Sequence, residues 1–248
     1  MIAFTDLARA AFCPRQLYYV RRNASDADDV GAGGAETDDE RDPRRPPPEA
    51  RKRMDLAFRY RALPTASDDA LRDRPIAVDP PTYRRNLEAL ADRDLWDRLV
   101  DPDRERAFLS GKDCRGIAHK VLRPAGGESD SGESVDEPPV PTIVSPGDPP
   151  ETGVYEPQAV RAVAAAKALA WEAETEVPRA LIEYPGHAVV REVRLTTRKK
   201  AAYRRALRTA RSIDGPPPRL RGDQKCDACD YREECGTRTR SLASLLGL

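Results

Sequence analysis

Long apolar runs are absent from this chain. No stretch approaches the roughly 20 consecutive apolar residues that a membrane-crossing helix needs. Aromatic residues make up only 6% of the sequence, too few for an extended base-stacking platform. Histidine is limited to His119 and His187, so few imidazoles are available as ligands. A net charge is missing as well: 42 Lys and Arg balance 42 Asp and Glu, and overall charge names no partner. The N-terminal stretch MIAFTDLARAAFCPRQLYYVRR lacks the layout of a secretory signal, because Asp6 interrupts its apolar residues early and its positive charge follows them. The expected location is therefore the cytoplasm, where disulfides are rare, which turns the reading of the cysteines toward metal.

Charge is distributed unevenly along the 248 residues. Ala24–Ala50 is acidic and then proline-rich, and Ala125–Pro139 carries five carboxylates and no base. Both have the composition of disordered insertions, since they offer little to bury. Basic residues gather between Arg191 and Arg211. Phe4–Arg22 predicts a helix capped at Thr5 or Asp6 and broken at Pro14. Glu49–Leu63 and Tyr83–Leu99 also read as helices. From Arg104 the period changes: two strands around a turn at Ser110–Asp113, then a short strand in VPTIVS. A long alanine-rich helix follows Pro157, then a hairpin turning at Pro185–Gly186, then a helix ending at DGPPP, Asp214 to Pro218. This order predicts an α/β (α+β) fold, a mixed sheet flanked by helices. The implied divisions are a helical segment at 1–22, an acidic insertion at 23–50, and a helical region at 51–102. An α/β core follows at 103–213, with an acidic loop at 124–139, and a cysteine-bearing basic tail at 214–248.

The segment KCDACDYREEC, Lys225 to Cys235, holds three of the five cysteines. Cys226 and Cys229 form a Cys-x-x-Cys knuckle, in which one tight turn aims two thiolates at one centre. Cys235 adds a third. Cys114 begins a strand and reads as a small buried apolar residue. Cys13 stops a helix at a Cys-Pro step and is the remaining thiol. A site made of Cys13, Cys226, Cys229 and Cys235 would clasp the two ends of the chain together. Spacing alone leaves an iron–sulfur cluster, a zinc ion and metal-free thiols open.

FTDLARAAFCPRQLYYVRR near the start, together with KCDACDYREEC near the end, resembles the CRISPR-associated iron–sulfur exonucleases. These are RecB-like members of the PD-(D/E)xK nuclease superfamily. The resemblance implies a 4Fe–4S cluster on Cys13, Cys226, Cys229 and Cys235, with zinc as the alternative. It also implies a nuclease-like sheet, single-stranded DNA or DNA ends as ligand, and an integrase-type CRISPR protein as partner. No membrane partner is implied. The family's Gly-x-x-Asp strand corresponds to GIAHKVLR, and its Glu-x-Lys strand to PTIVSPGDPP. There the Asp, Glu and Lys positions hold His119, Ile143 and Ser145, while Val163 and Lys167 stand at the family's Gln and Tyr. Such nucleases bind Mg²⁺ or Mn²⁺ through carboxylates, because hard cations prefer oxygen, and the metal activates water. Isoleucine and serine cannot do this, so the expectation is a catalytically degenerate member. Asp113 and Asp148, nearby in sequence, are the displaced acids that an active single-stranded DNA exonuclease would use, the alternative expectation.

Binding to phosphates outlasts loss of the acids. Lys200, Arg204, Arg208 and Arg211 fall at i, i+4, i+8 and i+11, one stripe of a helix. Arg219 and Arg221 continue toward the cysteines, with Arg238 and Arg240 beyond. Two readings stand beside phosphate binding: a solvated helix face balancing the acidic insertions, and a zinc-clasped protein-interaction module without a nucleic-acid role.

Overall fold

Two residues of extended chain, Ile2–Ala3 (β1), lead directly into Phe4–Phe12 (α1) in this computed structural model, which describes residues 1–30, 46–124, 137–220, 224–227 and 229–236. Most of both acidic insertions, together with Arg221, Arg238 and Arg240, lies outside the described residues. Helix α1 is capped by Ala3 rather than by Thr5 or Asp6, because the Asp6 carboxylate is taken by Arg21 at 2.9 and 3.0 Å. Cys13 is extended between α1 and Pro14–Val30 (α2), where Pro14 sits at a helix start that needs no N–H from it. Helix α2 runs into the stretch expected to be an insertion, since no Gly or Pro interrupts it before Gly31 and Ala24 is buried.

Short helices build one flank of the sheet: Pro48–Asp55 (α3), Asp68–Arg72 (α4), Pro80–Ala91 (α5) and Trp96–Val100 (α6). The two long helices expected here are thus shorter. Residues after Asp55 pass into 3₁₀ turns, and the second helix breaks between Ala91 and Trp96. Asp79 caps α5 by accepting the Thr82 N–H at 3.0 Å.

Arg104–Ser110 (β2) and Cys114–Leu122 (β3) form the expected antiparallel hairpin. Val140–Val144 (β4) pairs antiparallel with β3. Glu156–Glu172 (α7) then crosses, and Arg179–Tyr184 (β5) returns parallel to β4. Val189–Arg194 (β6) closes the sheet antiparallel to β5. Thr197–Ser212 (α8) follows, capped by Thr196, and Arg232–Cys235 (α9) is a single terminal turn. The result is a mixed sheet flanked by helices on both faces. One face packs on α1, α7 and α8. Alanines along α7 let it lie close, and a Cβ at Gly111 would come 2.8 Å from the Ala168 Cα. The other face packs on the helices of residues 48–100. Among the described residues no helix is long and apolar enough to cross a membrane.

Strand β3 organises the site. β2 occupies one of its edges, and β1 and β4 share the other, at Cys114–Arg115 and Lys120–Leu122 respectively. Residues 116–119 are left without a strand on that edge. The side-chain phase also shifts here: Ala118 joins the core under α7, whereas Lys120 turns to the opposite face. Directly across, Arg106 adopts a left-handed φ of 49° and drops out of the ladder.

Lys120 and Glu183 are fully buried and paired at 2.9 Å. The ammonium also donates to the carbonyls of Ala57 at 2.7 Å and Leu99 at 3.0 Å, and Glu183 accepts from Thr142 at 2.5 Å. Every strong donor of this network therefore has an acceptor, the condition under which a buried pair is tolerated. Removing one partner strands a charge without water. Lys120→Met or Glu183→Gln is expected to cost about 3–5 kcal/mol in denaturant unfolding, and the double change Lys120→Met/Glu183→Leu less than the sum of its parts.

Candidate functional site

A cavity of about 900 Å³ opens at the unpaired edge of β3. Gly116, Ile117 and His119 form its floor, the start of α1 one wall, and the end of α3 with Phe58 the other. Gly116 is required by close approach, since a Cβ there would stand 2.6 Å from the Phe4 ring. His119 is only 8% exposed. Its Nδ1 accepts the Val144 N–H at 3.0 Å, which assigns the ring proton to Nε2. Burial, then the positive charges of Arg161, Arg106 and Lys120, hold the imidazole well below its usual range, so the ring is neutral.

The cavity is cationic where a nuclease would be acidic. Arg106 and Arg161 line it, together with Arg51 and Lys52. Among the described residues its one carboxylate, Asp55, is engaged with Arg106 at 3.0 Å. Burial, and then the charge of Arg9, lowers the Arg161 guanidinium to about 10, which still leaves it charged at neutral pH.

The residues placed at the Glu and Lys positions do not face this cavity. Ile143 points into the core beneath α7. Ser145 accepts from Gln158 Nε2 at 2.9 Å, and the Tyr184 hydroxyl donates to the same Gln158 side chain. The lining residues of that segment are instead Val144 and Pro146. Alternation along β4 makes the reason plain: a one-residue offset exchanges the two faces of a strand. Asp113 and Asp148 are not brought to His119 either. Asp113 pairs with Arg211 at 2.8 Å, and Asp148 meets His187 Nε2 at 2.8 Å. Val163 is a core residue. Asp55, Arg106 and Arg161 were missed by sequence reasoning, since they lie outside every motif. Only the left-handed strain at Arg106 marks the place, and that is invisible in letters.

The basic stripe does converge. Lys200, Arg204, Arg208 and Arg211 line a groove of about 340 Å³ with Lys167 of α7, and among the described residues Asp113 is its only acid. Among the described residues Lys200, Arg204 and Arg208 make no ion pair, whereas Arg211 holds Asp113. Tyr203 forms the floor, its hydroxyl donating to the Cys114 sulfur at 3.3 Å. Burial raises the Cys114 thiol above its usual range.

The cysteine segment packs against the corner between α1 and α2. Tyr231 stacks on Tyr19 with ring centroids 5.7 Å apart, and Tyr19 donates to the Glu234 carbonyl at 3.1 Å. Gln16 Nε2 reaches the Cys229 sulfur at 3.9 Å, and Lys225 lies 5.5 Å from the Phe12 ring. Arg22 pairs with Glu234. Phe12, Gln16 and Tyr19 all lie close in sequence to Cys13, so the knuckle docks where the first cysteine sits. Cys13, Cys226, Cys229 and Cys235 are half-buried and take part in no disulfide. Among the described residues, no three His, Cys, Asp or Glu side chains already converge as a metal-ligand set.

No protein-family model matches the chain, and no curated protein matches it.

The neutral His119 makes a measurable signature. In the unfolded chain an imidazole takes up a proton near pH 6.5, while the buried ring does not. Stability from this site is therefore complete above pH 6.5 and is lost as pH falls below it, by up to about 1.4 kcal/mol per unit. His119→Asn, whose Oδ1 can still accept the Val144 N–H, is expected to flatten that slope in urea unfolding measured from pH 7.5 to 5.

Proposed function

We propose that this protein is a RecB-like, PD-(D/E)xK-type nuclease fold that has lost catalysis and binds DNA through phosphates. In this reading it is cytoplasmic and serves a CRISPR-adaptation or related DNA-processing assembly, with an integrase-type protein as partner. The observation that carries the reading is the groove of Lys167, Lys200, Arg204, Arg208 and Arg211, together with a separate cavity whose only carboxylate among the described residues is tied to an arginine. The hairpin, third strand, crossing helix and parallel strand agree with the expected nuclease-like order. Hard cations need several oxygen donors, and this cavity offers one already neutralised. Phosphate binding needs only guanidinium and ammonium groups along the strand.

The cysteine corner supports a thiolate-held centre. Its donors are soft sulfurs that are half-buried and outside any disulfide, and the two segments bearing them pack together through Tyr19, Gln16 and Tyr231. Cys13, Cys226, Cys229 and Cys235 would hold a 4Fe–4S cluster, with zinc as the alternative ion. Either would supply a crosslink between the first two helices and the C-terminal segment. Protein prepared without oxygen is expected to be brown and to contain about four irons and about four sulfides per chain. Cys13→Ala or Cys229→Ala should lose both. Colourless protein with about one zinc would replace the cluster with the ion.

Single-stranded DNA is expected to bind with a steep salt dependence. Each contacted phosphate contributes about 0.7 to the slope of log affinity against log salt. Arg204→Glu/Arg208→Glu should therefore lower that slope by about 1.4 and weaken binding, as read by fluorescence anisotropy across a salt series. An unchanged slope would assign the stripe to solvation alone.

A further inference from the structure

Arg161 stands in the second turn of α7 and lines the cavity beside His119. Its Nε is buried with no hydrogen-bond partner, and the guanidinium has no ion pair among the described residues. The charge acting on it is that of Arg9, which repels it. The side chain is partly buried with its Nε shut off from water, so an anionic ligand entering the cavity would supply the acceptor that this donor lacks. Two further donors face the same space. His119 presents Nε2–H, its other nitrogen being occupied by the Val144 N–H. Helix α1 begins in the cavity wall at Phe4 and Thr5 with no side chain capping it, which places the positive end of its dipole at that wall. Met54, Phe58, Ile117 and Val144 add apolar lining, alongside Arg51, Lys52 and the Asp55–Arg106 pair.

We propose that this cavity is a metal-independent receptor for a phosphate-bearing ligand with a flat apolar body, the chemistry of a nucleoside phosphate, and that Arg161 takes the phosphate. The planar guanidinium suits two phosphate oxygens at once. Ile117 and Val144 provide apolar surface against which a ring would lie, and the Arg106 guanidinium, 4.7 Å over the Phe58 ring, presents a second planar cation beside it. Two sources carry this chemistry: a free mononucleotide and the phosphorylated end of a single strand. The site stands on the cavity and not on the α8 groove, so the two assignments fail separately.

The full chain, in EDTA, is titrated calorimetrically with adenosine monophosphate, adenosine and inorganic phosphate. One short oligonucleotide is added in its 5′-phosphate and 5′-hydroxyl forms. A free-nucleotide site binds the monophosphate at least ten-fold tighter than adenosine or inorganic phosphate. A strand-end site shows the same ratio between the two oligonucleotides. In either case Arg161→Met removes the preference and Arg161→Lys retains part of it. Arg161→Met should also leave the melting temperature in phosphate-free buffer unchanged or higher. The assignment is overturned if phosphorylated and unphosphorylated ligands bind alike, or if inorganic phosphate binds as tightly as the monophosphate. A requirement for Mg²⁺, or melting several degrees lower in Arg161→Met, overturns it as well.

Discussion

The ammonium of Lys120 is the point on which the rest of the molecule is hung. One side chain satisfies Glu183 on β5, the carbonyl of Ala57 beyond α3 and the carbonyl of Leu99 in α6. It thereby fixes the helical flank of residues 48–100 against the sheet. For it to reach these partners, β3 must change phase between Ala118 and Lys120. That change leaves His119 beside the unpaired strand edge, with its ring held by the Val144 amide. The cavity wall that carries Met54, Asp55 and Phe58 is the segment leading to Ala57. The buried ion pair and the candidate site are thus consequences of one distortion in one strand.

Much of the sheet was legible in advance, for local reasons. The hairpin around Ser110–Asp113, the alanine-rich α7, the turn at Pro185–Gly186 and the Thr-capped α8 each carry a strong periodicity and a chemical stop. The helical flank was not. Its elements are brief, and α3 passes into 3₁₀ turns after Asp55 with no Gly or Pro to mark the change. Strand β1 spans two residues and has no signal of its own. The site was half legible. His119 was picked out by its place in a pattern, yet Ile143 and Ser145 were taken for its neighbours when Val144 and Pro146 are. Nothing in KVL or IEY announces that Lys120 and Glu183 find one another across 63 residues.

Two kinds of donor are kept apart in this chain. Thiols lie where the C-terminal segment meets the α1–α2 corner, and guanidinium groups line the cavity and the α8 groove. Carboxylates near either basic surface are engaged: Asp55 by Arg106 and Asp113 by Arg211. Such a surface attracts phosphates and offers no ready cage for a hard cation. Association with a strand would then be controlled by salt, and any chemistry on that strand would fall to another component of the assembly.

The central claim is that this fold holds DNA without cutting it. The most direct measurement is a time course with an end-labelled single strand, saturating protein and Mn²⁺, read on a denaturing gel beside a retention assay in the same buffer. The account predicts a strand that is retained at low salt, released at high salt, and full length throughout. Progressive shortening that disappears in Asp55→Asn or Asp148→Ala protein would contradict it.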